Sequence, residues 1–497
     1  MISRMDLFAK VYLSYSLIIF DLYKIILCAV SFFILVSVVV SVVPFQAFGD
    51  GFTQENVYAS IGNRKMAMFV KINPPILTSQ NLQDRYLLLR FFDAETNNPI
   101  KNVSFFLNVT KGNQLLMYDL FYTQNGTIEL KFQPGGTVGK WKVYGDQEPT
   151  GAGWTSPTNQ VNVQAPILSE GGLYHFNMEL SGFDYPNEIV IPYGTKVKFD
   201  SYLSVGDIYN QTINYNSKPY DITLVSYYDK ITNINFDQTK VQLSWSMPFD
   251  WDLTKYKDRR FLIHEELRVP NLFKEFVNNP VFSAIVNGEL LRPEKIVQDS
   301  YSFNNTTILH LYVNIADIQQ ISKIVDPSTK TMDFVVYPSK ANVTTSTVMF
   351  TDFGGWQVKL GWLPIELDAN QKETLQLTFF DQLTGQQVTD DVNYNLKILD
   401  SKGNRILSQS NLTARGGIDT QSIFLPENGI YHIQASVTSV ISNGISDTSR
   451  NGVARGNLVI PSVANETIPE FPSVTIPILI GFVSLLAFTK IRNGIYC

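Results

Sequence analysis

The 497-residue chain is poor in the residues that most often mark chemistry: two cysteines, four histidines and 17% charged side chains. Cys28 and Cys497 lie in the hydrophobic stretches at either end. A disulfide framework, a cysteine-ligated zinc and a thiol nucleophile are therefore excluded from the chain between them. Cys497 also lacks the C-a-a-X context of a prenylated terminus. No run of Lys or Arg interrupts the central part, and the formal net charge is −6. Nucleic acid is not an expected partner, because no basic stripe is available to neutralise phosphates. A glycine-rich phosphate loop opening a helix and a G-x-S-x-G elbow are both missing, which argues against nucleotide hydrolysis and α/β-hydrolase chemistry. No cofactor is expected, and a non-catalytic role leads.

What the chain has in quantity is aromatic side chains, 24 Tyr and 33 Phe among them, with abundant Asn and Thr. That mixture favours β-structure, and the length suits about three domains of ordinary size. An internal repeat sets the layout. Residues 87–109 read LLLRFFDAETNNPIKNVSFFLNV and residues 375–398 read LQLTFFDQLTGQQVTDDVNYNLKI. Each is an apolar strand ending in Phe-Phe-Asp, a turn with Thr three residues after the Asp, and a second alternating strand. Gly112 and Gly403 follow in turns, and Gly139 with Trp141 is matched to Gly429 with Tyr431 as a later strand start. Short alternating strands at this spacing predict antiparallel sandwiches of the immunoglobulin or fibronectin type. Tyr431 is placed as a tyrosine corner. The expected fold is mainly β: tandem sandwiches at 55–165 and 356–462, flanking a distinct β-rich middle domain at 166–355. Terminal transmembrane helices complete it. The middle domain carries helical stretches near 270–277 and 315–325.

The two ends give an address. Ile25 to Pro44 is an uncharged run preceded by Arg4, Lys10 and Lys24. It reads as a signal peptide, or an uncleaved signal-anchor, within 1–49, with Ala47 and Gly49 suiting cleavage before Asp50. At the other end Val474 to Phe488 is uncharged and is followed by Lys490 and Arg492. It is roughly 22 Å long as a helix, short of the ~30 Å hydrocarbon core. Snorkelling of the basic pair and local thinning close the gap, so 474–489 is read as a transmembrane helix. A basic pair beyond it puts the C-terminus inside the cell and the bulk outside. The linker 463–473 carries Pro469, Glu470 and Phe471.

That motif, with Pro472, a short apolar helix and a basic end, resembles the PEF-type C-terminal sorting tails of archaeal surface proteins. The resemblance covers about residues 468–492. It implies an archaeal envelope protein processed by an archaeosortase-like enzyme, with the membrane and S-layer or other envelope glycoproteins as partners. Five residues beyond the basic pair depart from the pattern. Nine N-x-[ST] sequons between the two hydrophobic segments fit export. Asn102, Asn125, Asn210, Asn304, Asn305, Asn342, Asn411 and Asn465 are candidate glycosylation sites, while Asn108 falls within a strand-like run.

Candidate chemistry is thin. His264, Glu265 and Glu266 could serve acid-base work or bind a metal, but position 268 is Arg, so H-E-x-x-H is absent. The same residues alternate as a strand with one polar face. A three-histidine zinc would need three histidines of the middle domain, His175, His264 and His310, to converge, while His432 follows Tyr431 on a sheet face of the last domain. Asp250 and Asp252 flank Trp251 in a pattern that can bind calcium or simply turn the chain. Trp245, Trp251, Tyr227 and Tyr228 could form a sugar-stacking platform or pack a core. The expected function is a structural or interaction role at the cell surface. Polysaccharide binding, or an extracellular hydrolase using Glu265 or Glu266 in the middle domain, are the alternatives.

Overall fold

Strand after strand buries every second side chain, as a half-buried sheet requires. Gly172–Gly182 alternates without a break, and Val103–Lys111 turns Phe105, Leu107 and Val109 inward. The computed structural model describes residues 52–460, apart from 150, 186–196, 257–261, 280, 304, 341–342, 353–354, 364–366, 383 and 443. The two terminal hydrophobic runs, the sorting motif Pro469, Glu470 and Phe471, and the acceptors Asn304, Asn342 and Asn465 lie outside the described residues. Among the described residues no helix is long and apolar enough to cross a membrane.

The first module comprises β1 (Gln54–Ile61), β2 (Arg64–Asn73), β3 (Tyr86–Asp93), β4 (Val103–Lys111), β5 (Gln114–Thr123), β6 (Thr127–Gln133), β7 (Lys142–Tyr144), β8 (Asp146–Gln147), β9 (Trp154–Thr155), β10 (Gln160–Gln164), β11 (Gly172–Gly182) and β12 (Val197–Val205). They form two sheets, β1-β2-β3-β6-β10-β7 and β12-β11-β4-β5-β9-β8. One core containing Phe91, Phe105, Phe121, Phe176 and Phe199 lies between them.

The middle module comprises β13 (Asp207–Tyr215), β14 (Lys218–Ser226), β15 (Thr232–Asp237), β16 (Gln242–Pro248), β17 (Leu262–Pro270), β18 (Phe282–Val286), β19 (Glu289–Leu290), β20 (Ile296–Phe303), β21 (Thr306–Asn314) and β22 (Thr331–Pro338), with helices α1 (Lys274–Val277) and α2 (Ile315–Ile321). Its sheets run β13-β14-β17-β21-β20 and β15-β16-β22-β18-β19. Asn314 caps α2 by accepting from Ala316 and Asp317, while Asp317 returns a bond to the Asn314 amide, a reciprocal capping box.

The last module comprises β23 (Val348–Phe350), β24 (Trp356–Leu363), β25 (Lys372–Asp381), β26 (Asp391–Asp400), β27 (Arg405–Ala414), β28 (Ile418–Phe424), β29 (Gly429–Ser442), β30 (Ile445–Asp447) and β31 (Gly452–Ile460). One sheet runs β23-β24-β25-β28; in the other, β27-β26-β29 carries both β30 and β31 on β29.

The repeat is structural. The turn after β3 is held by Asp93, which accepts from the Thr96 amide; after β25, Asp381 accepts from the Thr384 amide. Gly126 and Gly417 take the same place, each carbonyl accepting from a strand amide, that of Phe91 or Phe379. An added Cβ would lie 2.2 Å from the Ile100 carbonyl at Gly126 and 2.2 Å from the Val388 carbonyl at Gly417, both at positive φ. Only glycine fits there.

The later strand start differs from expectation. Gly429 and Tyr431 correspond to Gly172 and Tyr174, since Tyr431 donates to the Glu427 carbonyl and Tyr174 to the Glu170 carbonyl, each at 2.7 Å. Gly139 and Trp141 belong instead to an insertion, roughly 134–171, that carries β7 to β10 and delays the equivalent strand. For that reason β11 and β12, assigned to the middle segment from the sequence, complete the first core, and the middle core begins with β13. Likewise Met349 on β23 packs in the last core, ahead of the expected start at 356.

Candidate functional site

Strand β17 brings the tempting carboxylates and imidazole into place, and its alternation separates them. Ile263, Leu267 and Val269 face the middle core, so Glu265 faces it too. His264, Glu266 and Arg268 face the opposite way. Register sets His264 against Tyr312 and Glu266 against His310 on β21, with Val225 of β14 beside Glu266. His264, Glu265, Glu266 and His310 are all buried, at 5%, 0%, 0% and 0% exposure.

Hydrogen bonds knit this polar face. Tyr227 donates its hydroxyl to Glu266 Oε1 at 2.9 Å, and Arg268 donates Nε and Nη2 to Oε2 at 2.9 and 2.6 Å. His264 Nε2 lies 3.2 Å from His310 Nδ1. The His264 ring stacks between Tyr227 and Tyr312, with centroids 4.8 and 4.9 Å away. Burial, reinforced by the charges of Arg455 and Arg268, pushes the His310 imidazole well below its usual range, so it is neutral. On the core side, burial pushes Glu265 well above the carboxylate range against a Ser226 hydroxyl bond that opposes it. Burial thus favours the protonated form of Glu265.

The polar face is covered by the neighbouring modules. Tyr312 donates to the Asp352 carbonyl at 3.2 Å. Arg455 of β31 spans Asp299 of β20 at 3.2 Å and Asp352 at 3.1 Å. Burial works against the Arg455 charge, but the two carboxylates outweigh it and its affinity for the proton is raised. From the first module, Gly206 sits so close to Tyr227 and Val225 that a Cβ would come within 2.8 and 2.9 Å of them. Sequence reasoning missed Asp299, Tyr312, Asp352 and Arg455, whose positions carry no local signal.

His264, Glu266 and His310 have metal-ligand size, with donor atoms within 4.8 Å of one another. Their chemistry does not fit a resident divalent cation. Tetrahedral zinc with arms of about 2.0–2.2 Å sets its donor atoms about 3.4 Å apart, and His264 Nε2 is 4.0 Å from Glu266 Oε1. Both Glu266 oxygens are engaged, and two guanidinium groups bear on His310. Only the His264 edge of the cluster has any exposure, at 5%, so the arrangement is a buried seam.

The remaining candidates disperse. His175 pairs with Asp200 and stacks on Tyr202; His432 meets Asn457. Neither approaches His264. Asp250 accepts from the Asp252 amide and Asp252 from Thr254, a turn that leads into a short 3-10 helix. The sugar platform is overturned: Trp245, Trp251 and Tyr227 are buried and Tyr228 packs on Phe249. Among the acceptors, Asn125, Asn210, Asn305 and Asn411 are exposed. The Asn102 side chain is held by Tyr122 and the Asp184 carbonyl.

A cleft of about 1190 Å³ opens between the first and last modules, lined by β1, β12, the turn after β25 and the stretch from β30 to Arg450. In its wall Glu55, accepting from Ser201, is pushed up to about 7 by burial. Arg450 pairs with Asp381 at 2.6 Å and lies over Trp356 at 4.2 Å.

No family profile matches the chain and no curated protein does. Among solved structures, a polysaccharide lyase aligns over 81% of this chain and 47% of its own, with 8% identity and a TM-score of 0.16. A Salmonella alpha-2-macroglobulin aligns over 81% and 33%, with 8% identity and a TM-score of 0.18. The Bacillus cereus major pilin subunit BcpA aligns over 74% and 93%, with 10% identity and a TM-score of 0.11. The chain spans less than half the length of the first two. Scores this low say nothing of its activity.

Proposed function

We propose that the protein is a membrane-tethered surface protein of an archaeal envelope, with a structural or interaction role. Its three modules act as a stiff spacer that presents loops and strand edges to S-layer or other envelope glycoproteins. One observation carries this reading: buried charges, rather than an open site, lie where the middle and last modules meet. Arg455, Asp299, Asp352 and Tyr312 tie the last module to the middle one. Such a joint suits a spacer, because intermodule motion would strand buried charges. We assign the first and last modules to the immunoglobulin or fibronectin type. The shared strand order and the two tyrosine corners support that assignment. The tail is tethered and processed at Pro469, Glu470 and Phe471, and Asn125, Asn210, Asn305 and Asn411 are the accessible glycan acceptors.

The test is cross-linking on intact cells with mass spectrometry of the enriched protein. Links from residues 50–465 to envelope glycoproteins, with a mature N-terminus near Asp50, are expected. Links to cytoplasmic proteins from the same residues would overturn the topology.

A further inference from the structure

Seven consecutive residues of β1, Gln54 to Ser60, line the cleft between the first and last modules. A strand shows alternate side chains to its two faces, so a wall made of every residue in turn is a strand seen edge on. Val57 and Ala59 agree, because their side chains pack on the first core and what they give the cleft is main chain. β1 ends its hydrogen-bonded sheet, with β2 on one side. On the other side β12 runs close to its start, where the Ser204 amide donates to the Phe52 carbonyl and the Ser201 hydroxyl to Glu55, while no strand pairs with Asn56 to Ser60 among the described residues.

One bond sets the parity. The Ile72 amide donates to the Thr53 carbonyl. Thr53, and with it Glu55, Val57 and Ala59, therefore turns its N–H and C=O toward β2. Asn56, Tyr58 and Ser60 turn theirs into the cleft, over a length of about 13 Å. The facing wall includes β30, itself an edge strand of its sheet.

Charge selects what would enter. The cations of the lining have partners: Lys65 with Glu95, Lys198 with Glu179, Arg450 with Asp381, and Arg90 held by Asn97 and lying over Phe92. Asp390 and Asp447 meet no cation at ion-pair distance among the described residues. They stand near Tyr58, whose hydroxyl burial and these two carboxylates push up to about 12.

We propose that the cleft receives an extended, lysine- or arginine-bearing polypeptide segment, which adds as a strand to the outer edge of β1 and sets its cations beside Asp390 and Asp447. Main-chain bonds to Asn56, Tyr58 and Ser60 hold the segment, and the carboxylates choose its charge.

The full-length protein in detergent is titrated with a fluorescent octapeptide of alternating valine and lysine, and with its valine–glutamate counterpart, read by anisotropy. The lysine peptide binds, more weakly as salt rises, and the glutamate peptide does not. Asn56→Pro removes an amide turned away from β2, so the melting temperature holds while affinity falls at least tenfold. Val57→Pro, one residue on, removes an amide of the β1–β2 ladder and lowers the melting temperature. Asp390→Asn with Asp447→Asn weakens lysine-peptide binding threefold or more. Undiminished binding by Asn56→Pro, equal binding of the two peptides, no binding of either, or displacement by a neutral oligosaccharide would each overturn the proposal.

Discussion

Replacing Arg455 by Met tests whether the middle and last modules are joined as described. The side chain is 11% exposed and faces Asp299 and Asp352, themselves 2% and 11% exposed, at 3.2 and 3.1 Å. Met keeps most of the volume and removes the charge. Two buried carboxylates would then lack their cation, and breaking a buried pair from one side costs about 3–5 kcal/mol. In the intact protein the Asp352 carboxyl is already raised, by burial first, with Arg455 opposing. Without Arg455 that opposition is gone. A carboxyl raised in the folded state contributes its full stability below the unfolded value, and loses it as pH climbs through the folded value. The penalty of Arg455→Met is therefore smallest near pH 4 and grows toward pH 7. Urea unfolding at both pH values measures it, and hydrogen exchange in β20 and β31 localises it. A loss below 1 kcal/mol at pH 7, or an undiminished loss with Asp299→Asn and Asp352→Asn added, would refute the reasoning.

Tyr431→Phe removes a hydroxyl that both donates to the Glu427 carbonyl and accepts from its amide. It should lower stability by about 1–1.5 kcal/mol, with Tyr174→Phe costing a similar amount, in thermal unfolding. Gly126→Ala and Gly417→Ala drive a Cβ onto a carbonyl and should each cost more than about 2 kcal/mol. Gly112→Ala, at positive φ but in open space, should cost about 1, as read by limited proteolysis. Glu265→Gln mimics the proton that burial already forces on this carboxyl. Wild type should match the variant below about pH 4 and fall behind it as pH rises, visible as a pH-dependent gap in melting temperature.

Local patterns recovered much of this architecture. The Phe-Phe-Asp strand, the Asp to Thr turn and the Tyr431 corner are written within a few residues of one another, and each was legible. The partner of Tyr431 was misassigned because an insertion of about forty residues pushes Tyr174 beyond the repeat spacing. The shared string Glu-x-Gly-x-Tyr, at 170–174 and 427–431, was there to find it. No such string exists for the seam. Arg455 and Asp352 are 103 positions apart, and either alone resembles an ordinary surface charge. The aromatics of β16 and the following loop misled for a related reason, since Trp245 and Trp251 look the same in sequence whether they face solvent or a core.

Glu265 and Glu266 illustrate how far adjacency in sequence can mislead about chemistry. Two neighbouring carboxylates invite an acid-base pair, but on a strand they leave from opposite faces. Glu266 meets Arg268 and Tyr227 on the intermodule face, where it serves as an acceptor for two donors. Glu265 enters the middle core beside Ser226, where burial favours its protonated form. Their environments do differ in the way catalytic pairs require, yet the sheet itself lies between them and no reacting atom can reach both. The same β period that makes a rigid module out of this stretch therefore removes it as a catalytic dyad. The polar side chains of β17 are left to bond one another and their neighbours Ser226, Tyr227 and His310 within the middle module, beside the joint that Tyr312 and Arg455 make with the last one.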